Sequence, residues 1–110
     1  MDFREYQSTI RDFIKCPSEI GLFYHTIGVA GAAGDLSNKV NALLVDPNAE
    51  MTKEKALRVG ISIGDVLFNL VNLATDLGIS LDEIITLNLK KIMMEEQKRI
   101  HDENKKPIKA

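Results

Sequence analysis

The chain has 110 residues, 45% of them hydrophobic and 27% charged, which excludes an intrinsically disordered or fibrous polymer and bounds it to one small domain. Fourteen Lys and Arg against sixteen Asp and Glu leave a net charge of −2, excluding the broad basic surface that coats nucleic acid. A single cysteine, Cys16, excludes an intrachain disulfide framework and fits a reducing compartment.

In chain order, the first five residues hold no apolar run, so no secretion leader is expected. Residues 2–15 read as a first helix, with Asp2 as N-cap and Glu5 three residues later in a box-like arrangement. Cys16-Pro17-Ser18 breaks it, because proline disfavours helical geometry in the residue before it. A second helix is expected over 19–45, followed by a loop at 46–50. Thr52 caps a third helix reaching Leu77, with Gly78 as a left-handed stop. Ser80 opens a fourth, with Glu83 at the capping-box position and Ile79 and Ile84 spaced as a hydrophobic staple. Residues 96–110 are mostly charged or polar and read as a solvated helix end and tail. Prolines 17, 47 and 107 each fall where a helical pattern stops. Uncharged stretches such as 20–34 are too short and too glycine-rich to cross a bilayer. The expectation is a single all-α domain over 1–110, soluble and cytoplasmic.

The third helix carries the most information. Ala56, Leu57, Val59, Ile61, Ile63, Val66, Leu67, Leu70, Val71, Leu73, Ala74 and Leu77 cover most of its circumference, the pattern of a helix buried between neighbours. One polar line runs through them: Arg58, Ser62, Asp65, Asn69, Asn72 and Asp76, in steps of 4, 3, 4, 3 and 4, all on one face. Taken alone, such a line is the solvent side. Its composition argues otherwise, because exposed helix faces favour Lys and Glu, whereas Ser, Asn and Asp form helix less well and suit a tight polar cavity. The second helix offers a matching line of His25, Gly28, Ala32, Asp35 and Lys39. Gly28, Gly31 and Gly34 each cost about 1 kcal/mol against alanine in a helix, so close approach of a neighbouring helix or of a ligand should offset them. On the fourth helix Asn88, Lys91 and Glu95 share a face.

Four segments in order carry a likeness to a known family: Glu5-Tyr6-Gln7; Gly28-Val29-Ala30-Gly31-Ala32-Ala33-Gly34-Asp35; Ser62-Ile63-Gly64-Asp65-Val66-Leu67-Phe68, followed by Leu77-Gly78-Ile79-Ser80-Leu81; and Asn88-Leu89-Lys90-Lys91-Ile92. Together they resemble the MazG-like all-α nucleotide pyrophosphohydrolases, particularly the short phage-type members. The resemblance implies a four-helix bundle that assembles as a homodimer or homotetramer with its pocket near the interface. It also implies an E-x-x-E and an E-x-x-D pair on adjacent helices, four carboxylates that hold Mg²⁺ and activate water against the α–β phosphate linkage. At those positions this chain reads Ala32-x-x-Asp35 and Ser62-x-x-Asp65, and the family's late arginine reads Glu95. Alanine cannot ligate a cation and a neutral hydroxyl is a poor substitute. Asp35 and Asp65 would hold at most one weakly bound Mg²⁺, so no cofactor is required.

The expected function is that of a catalytically impaired nucleotide binder that sequesters its ligand. The phage-type likeness makes a cyclic-dinucleotide or ADP-ribose-type immune signal the biologically logical cargo. In that reading Lys39 and Lys91 meet phosphate, and His25, Asn69, Asn72 and Asn88 hydrogen-bond sugar or base edges. Tyr24 or Phe23 stacks on a base, Gly28 and Gly31 let the ligand approach the backbone, and Asp35, Ser62 and Asp65 complete the pocket. Neither DNA, RNA nor a membrane is an expected partner. Two alternatives stand beside it. One is a divergent Mg²⁺-dependent nucleoside-triphosphate pyrophosphohydrolase drawing on Asp35, Asp65 and the nearby acids Asp76 and Glu50. The other is a helical oligomerisation module without ligand. His101 reads as solvated, and Cys16 has no activating base.

Overall fold

The computed structural model describes residues 1–48 and 50–105; Pro107 and the tail beyond 105 lie outside the described residues. It is all-α. Four helices, α1 (Phe3–Arg11), α2 (Gly21–Val45), α3 (Lys53–Asp76) and α4 (Leu81–Asn104), follow one another with a 3-10 turn at Ser18–Ile20, and no strand occurs among the described residues.

The caps read from the sequence are in place. Asp2 Oδ1 accepts from the Glu5 amide at 2.9 Å, Thr52 Oγ1 from Lys55 at 3.2 Å and Ser80 Oγ from Glu83 at 3.1 Å, each satisfying a first-turn N–H that has no partner within its helix. At the end of α3, Gly78 has φ +72°. The Ile79 amide reaches back to the Ala74 carbonyl at 3.0 Å and the Gly78 amide to Thr75 at 3.0 Å, the paired bonds of a Schellman stop.

Two boundaries differ from expectation. The first helix stops at Arg11 instead of reaching 15, because Phe13 and Ile14 bond three residues back, to Ile10 at 2.9 Å and Arg11 at 3.3 Å. This tightening brings the chain to the Cys16-Pro17 break without a further α-turn. The second helix starts at Gly21, after the 3-10 turn. Gly21 is buried against the end of α3, where a Cβ would stand 2.7 Å from Asp76 Oδ1.

The helices α2 and α3 lie antiparallel as a long hairpin, α1 crosses α3, and α4 packs on α1. Ile10, Val71 and Leu81 form the apolar core, flanked by Tyr6 and Phe68. The joint is fixed by Gln7, which the sequence reading had placed only as part of a motif. Its Nε2 donates to Thr75 Oγ1 and to the Ile79 carbonyl, both at 3.1 Å, while its Oε1 accepts from the Leu81 amide at 2.9 Å.

Within one chain these helices do not close on a common core. The radius of gyration is 19.2 Å, against about 13 Å for a compact domain of this length. The accessible surface is 8924 Å², where a compact monomer of 12.3 kDa would show about 6,100 Å². Leu57, Ile61, Ile63 and Leu70 on α3, and Leu87, Leu89, Ile92, Met93 and Met94 on α4, are all exposed. By length and composition α3 also meets the requirement for crossing a bilayer, with a mean hydropathy of 1.4 over its most apolar window.

Candidate functional site

Much of the polar line of α3 faces α2, while Arg58 and Asp65 on it are exposed. Ser62 and Asn72 are 1% and 0% exposed, Asn69 is partly buried, and the Asp76 side chain keeps 17% of its surface. Three contacts set the register of the hairpin. His25 Nδ1 and Asp76 Oδ2 are 2.6 Å apart at one end. A Cβ on Gly28 would lie 2.8 Å from Asn69 Cγ in the middle. Lys39 Nζ donates to Ser62 Oγ at 2.9 Å at the other end. The two polar lines are thus one seam. Its chemistry runs from a buried imidazole–carboxylate pair, through a close backbone approach, to an ammonium.

Lys39 decides what the far end of the seam can do. Its Nζ also sits 3.0 Å from Asp35 Oδ2, so one ammonium bridges Asp35 on α2 and Ser62 on α3, where the resemblance implies a metal. Among the described residues no group of three or more His, Cys, Asp or Glu is gathered to hold a metal ion. Asp65 is exposed, and its charge is felt by Tyr6 on α1, whose phenol is raised above its ordinary pKa by burial and then by Asp65. Asp76 is engaged by His25, and Glu50 lends only its backbone carbonyl, which accepts from Lys55 Nζ at 3.1 Å. The donor set does not fit a resident Mg²⁺.

Several of the expected site residues are brought together. Tyr24, Gly28 and Asn69 line one groove of about 440 Å³ with Ile20, Phe23 and Ile27, an aromatic and apolar wall with one amide. The Tyr24 ring meets His25 edge-on, with centroids 5.4 Å apart. Asn69 Nδ2 donates to the Asp65 carbonyl at 3.0 Å. Asn72 is buried beside this groove in the stripe, and neither polar atom of its side chain has a hydrogen-bond partner among the described residues. Such burial costs roughly 1–3 kcal/mol. Gly31 faces open space, since a Cβ there would meet nothing within 4 Å. Asn88 and Lys91 are exposed on α4; Lys91 pairs with Glu95 at 3.8 Å and neither bonds a seam residue.

Sequence reasoning missed the Gln7 joint and a second cationic group, Lys55 and Arg58, which shares a groove with Lys39. The signal for that group was Arg58 at the head of the polar line, three residues after Lys55.

These features define an all-α protein with a polar seam buried between two antiparallel helices and apolar faces turned outward. The chain belongs to the family of the Gene 37 protein of Mycobacterium phage L5. The two are 35% identical over 77 residues, which cover 70% of this chain and 68% of the phage protein. No protein-family model matches the chain, and no solved structure matches it.

Proposed function

We propose that the chain is a catalytically impaired MazG-like protein that works as a homo-oligomer and holds a nucleotide along the α2–α3 seam without hydrolysing it. The observation that carries this reading is the Lys39 ammonium bound between Asp35 and Ser62 at 3.0 and 2.9 Å. A built-in monovalent cation neutralises the remaining carboxylate of the α2 pair, so phosphate can approach without a metal. Among the described residues no cluster of carboxylates is gathered there to hold a metal that would activate water. Tyr24 and Asn69 supply a stacking face and an amide at the other end of the seam, suited to a base and its edge. Phage kinship favours a cytoplasmic protein of the infected host, and a nucleotide immune signal of the cyclic-dinucleotide or ADP-ribose type as cargo.

Assembly supports the same reading. The accessible surface of 8924 Å² exceeds that of a compact monomer by about 2,800 Å². Covered on both copies of a dimer, that excess would come to about 5,600 Å² in total, at the upper end of obligate homodimer interfaces. A second copy laid on the outward faces of α3 and α4 would bury their leucines and isoleucines and complete the bundle.

The test is incubation with nucleoside triphosphates, cyclic dinucleotides and ADP-ribose-type molecules, with and without Mg²⁺, read by chromatography before and after heat denaturation. A ligand that leaves the filtrate and returns intact supports the reading; conversion to a monophosphate makes the protein a divergent pyrophosphohydrolase. Light scattering on the same samples gives the mass. A protein that is an oligomer but retains nothing is a helical assembly module, and one that floats with lipid vesicles places the α3 face in a membrane.

A further inference from the structure

We propose that a groove at the loop end of the α2–α3 hairpin, rimmed by Lys39, Lys55 and Arg58, is a phosphate site that takes the polyphosphate end of the bound nucleotide. This inference rests on the nucleotide-holding reading above. The groove has a volume of about 400 Å³, within the roughly 300–1,000 Å³ of small-molecule sites. Three cations line it with no carboxylate among the lining residues, over an apolar floor that includes Ala42, Leu43 and Val59.

Each cation has donors to spare. Lys55 Nζ donates to the Glu50 carbonyl at 3.1 Å, a neutral acceptor, and has no carboxylate within ion-pair distance among the described residues. Arg58 holds Glu54 with one nitrogen at 2.7 Å, in a pair that is 72% and 75% exposed. Water screens such an i,i+4 surface pair, so a dianion can compete for the guanidinium. One planar guanidinium and two flexible ammonium groups form a phosphate-reading set, the arginine binding two oxygens at once and the lysines acting as point charges. The groove also sits on the first turns of α3, whose dipole adds positive potential.

Lys39 joins the groove to the seam, since the same ammonium bonds Asp35 and Ser62. Along α2, Lys39 lies eleven residues beyond Gly28, about 16 Å at 1.5 Å per residue. The aromatic groove at Tyr24 and the cationic groove are therefore separated by a span that suits a ligand carrying two or more phosphates.

The experiment is calorimetric titration of the full chain with inorganic tripolyphosphate, pyrophosphate and orthophosphate, without divalent metal, on wild type, Lys55→Gln, Arg58→Gln and Lys55→Arg. Arg58 is exposed and Lys55 half-buried, so the fold of each variant is checked by circular dichroism and the mass by light scattering. Affinity should rise with phosphate number and fall with salt. Each glutamine variant should lose about tenfold or more for tripolyphosphate, and Lys55→Arg should retain it. Unchanged tripolyphosphate affinity in both glutamine variants overturns the inference, as does a wild type that retains a nucleotide but binds no tripolyphosphate. The nucleotide reading survives either result. A wild type that binds tripolyphosphate, with the expected losses, yet retains no nucleotide sustains the phosphate groove and removes the nucleotide reading. Variants that change the oligomer mass while binding phosphate normally make the groove an interface between copies, which also overturns it.

Discussion

Alanine substitution of the three glycines of α2 should separate them sharply. In a helix interior each Gly→Ala change gains about 0.8–1 kcal/mol of propensity. At Gly31 and Gly34 a Cβ meets nothing within 4 Å, so that gain should appear nearly in full. At Gly28 the Cβ would stand 2.8 Å from Asn69 Cγ, a distance that forces Asn69 or the whole of α3 to move. Overpacking of this kind costs roughly 1–3 kcal/mol, and moving Asn69 also strains its 3.0 Å bond to the Asp65 carbonyl. Gly28→Ala should therefore lie about 1–3 kcal/mol below Gly31→Ala and Gly34→Ala, which is of the order of 5–15 °C in melting temperature. Asn69→Ala should rescue it, with a coupling of about 1 kcal/mol or more in the double-mutant cycle. The assay is thermal melting by circular dichroism at one fixed protein concentration, because an oligomer's melting temperature depends on concentration. If Gly28→Ala melts with the other two, or if Asn69→Ala gives no rescue, the close approach of α2 and α3 at this register is refuted.

Gln7→Met should cost about 2–4 kcal/mol in urea unfolding, because it leaves the buried Leu81 amide and the Ile79 carbonyl unpaired; a loss under 1 kcal/mol would remove Gln7 as the joint. Tyr6 gives a pH prediction. Burial first, and Asp65 second, raise its pKa above 10.0, so the folded chain holds that proton more tightly than the unfolded one. The contribution is complete below the unfolded value and is lost as pH rises through the folded one. Wild type should therefore lose stability relative to Tyr6→Phe above about pH 10, and parallel curves would exclude the effect. Restoring both missing carboxylates while removing the ammonium, in Ala32→Glu/Ser62→Glu/Lys39→Ala, should create Mn²⁺ binding measurable by calorimetry where wild type shows none. Failure in a folded triple variant would count against the alignment of this seam with a four-carboxylate site.

The helix starts were legible because capping is local: Asp2, Thr52 and Ser80 each need only the amide three residues on, and the Gly78 stop needs only its own positive φ. Each polar line was legible from its 3–4 spacing, which places Ser62 and Asn72 on the same face as Asp76. What that face meets was not, since periodicity fixes a face but not its neighbour. Gln7 was illegible for a related reason, as its three bonds go to residues 68 or more positions away. The role of Lys39 was only half legible. Its place on the α2 line was visible, but an ammonium reaching across to Ser62 depends on interhelical distance, which no single-helix pattern contains. Lys55 and Arg58 join Lys39 only because the hairpin folds back on itself.

On the proposed MazG-like alignment, charge links the two replaced carboxylates to these lysines. Four carboxylates lining one seam would repel one another and any phosphate unless divalent cations sat among them. With Ala32 and Ser62 in place, two acids remain, Asp35 and Asp65. At the loop end of the seam Lys39, Lys55 and Arg58 then stand against Asp35, Asp65 and Glu54, a formal sum of zero in place of the −2 of the two acids alone. An ammonium costs little to hold there, because Asp35 and Ser62 satisfy two of its three donors, whereas the same ammonium beside a bound Mg²⁺ would be repelled by it. The seam therefore accommodates either a metal with four carboxylates or a lysine with two. This chain has Lys39 between Asp35 and Ser62, the second arrangement, and in the proposed reading that lets phosphate approach without a metal.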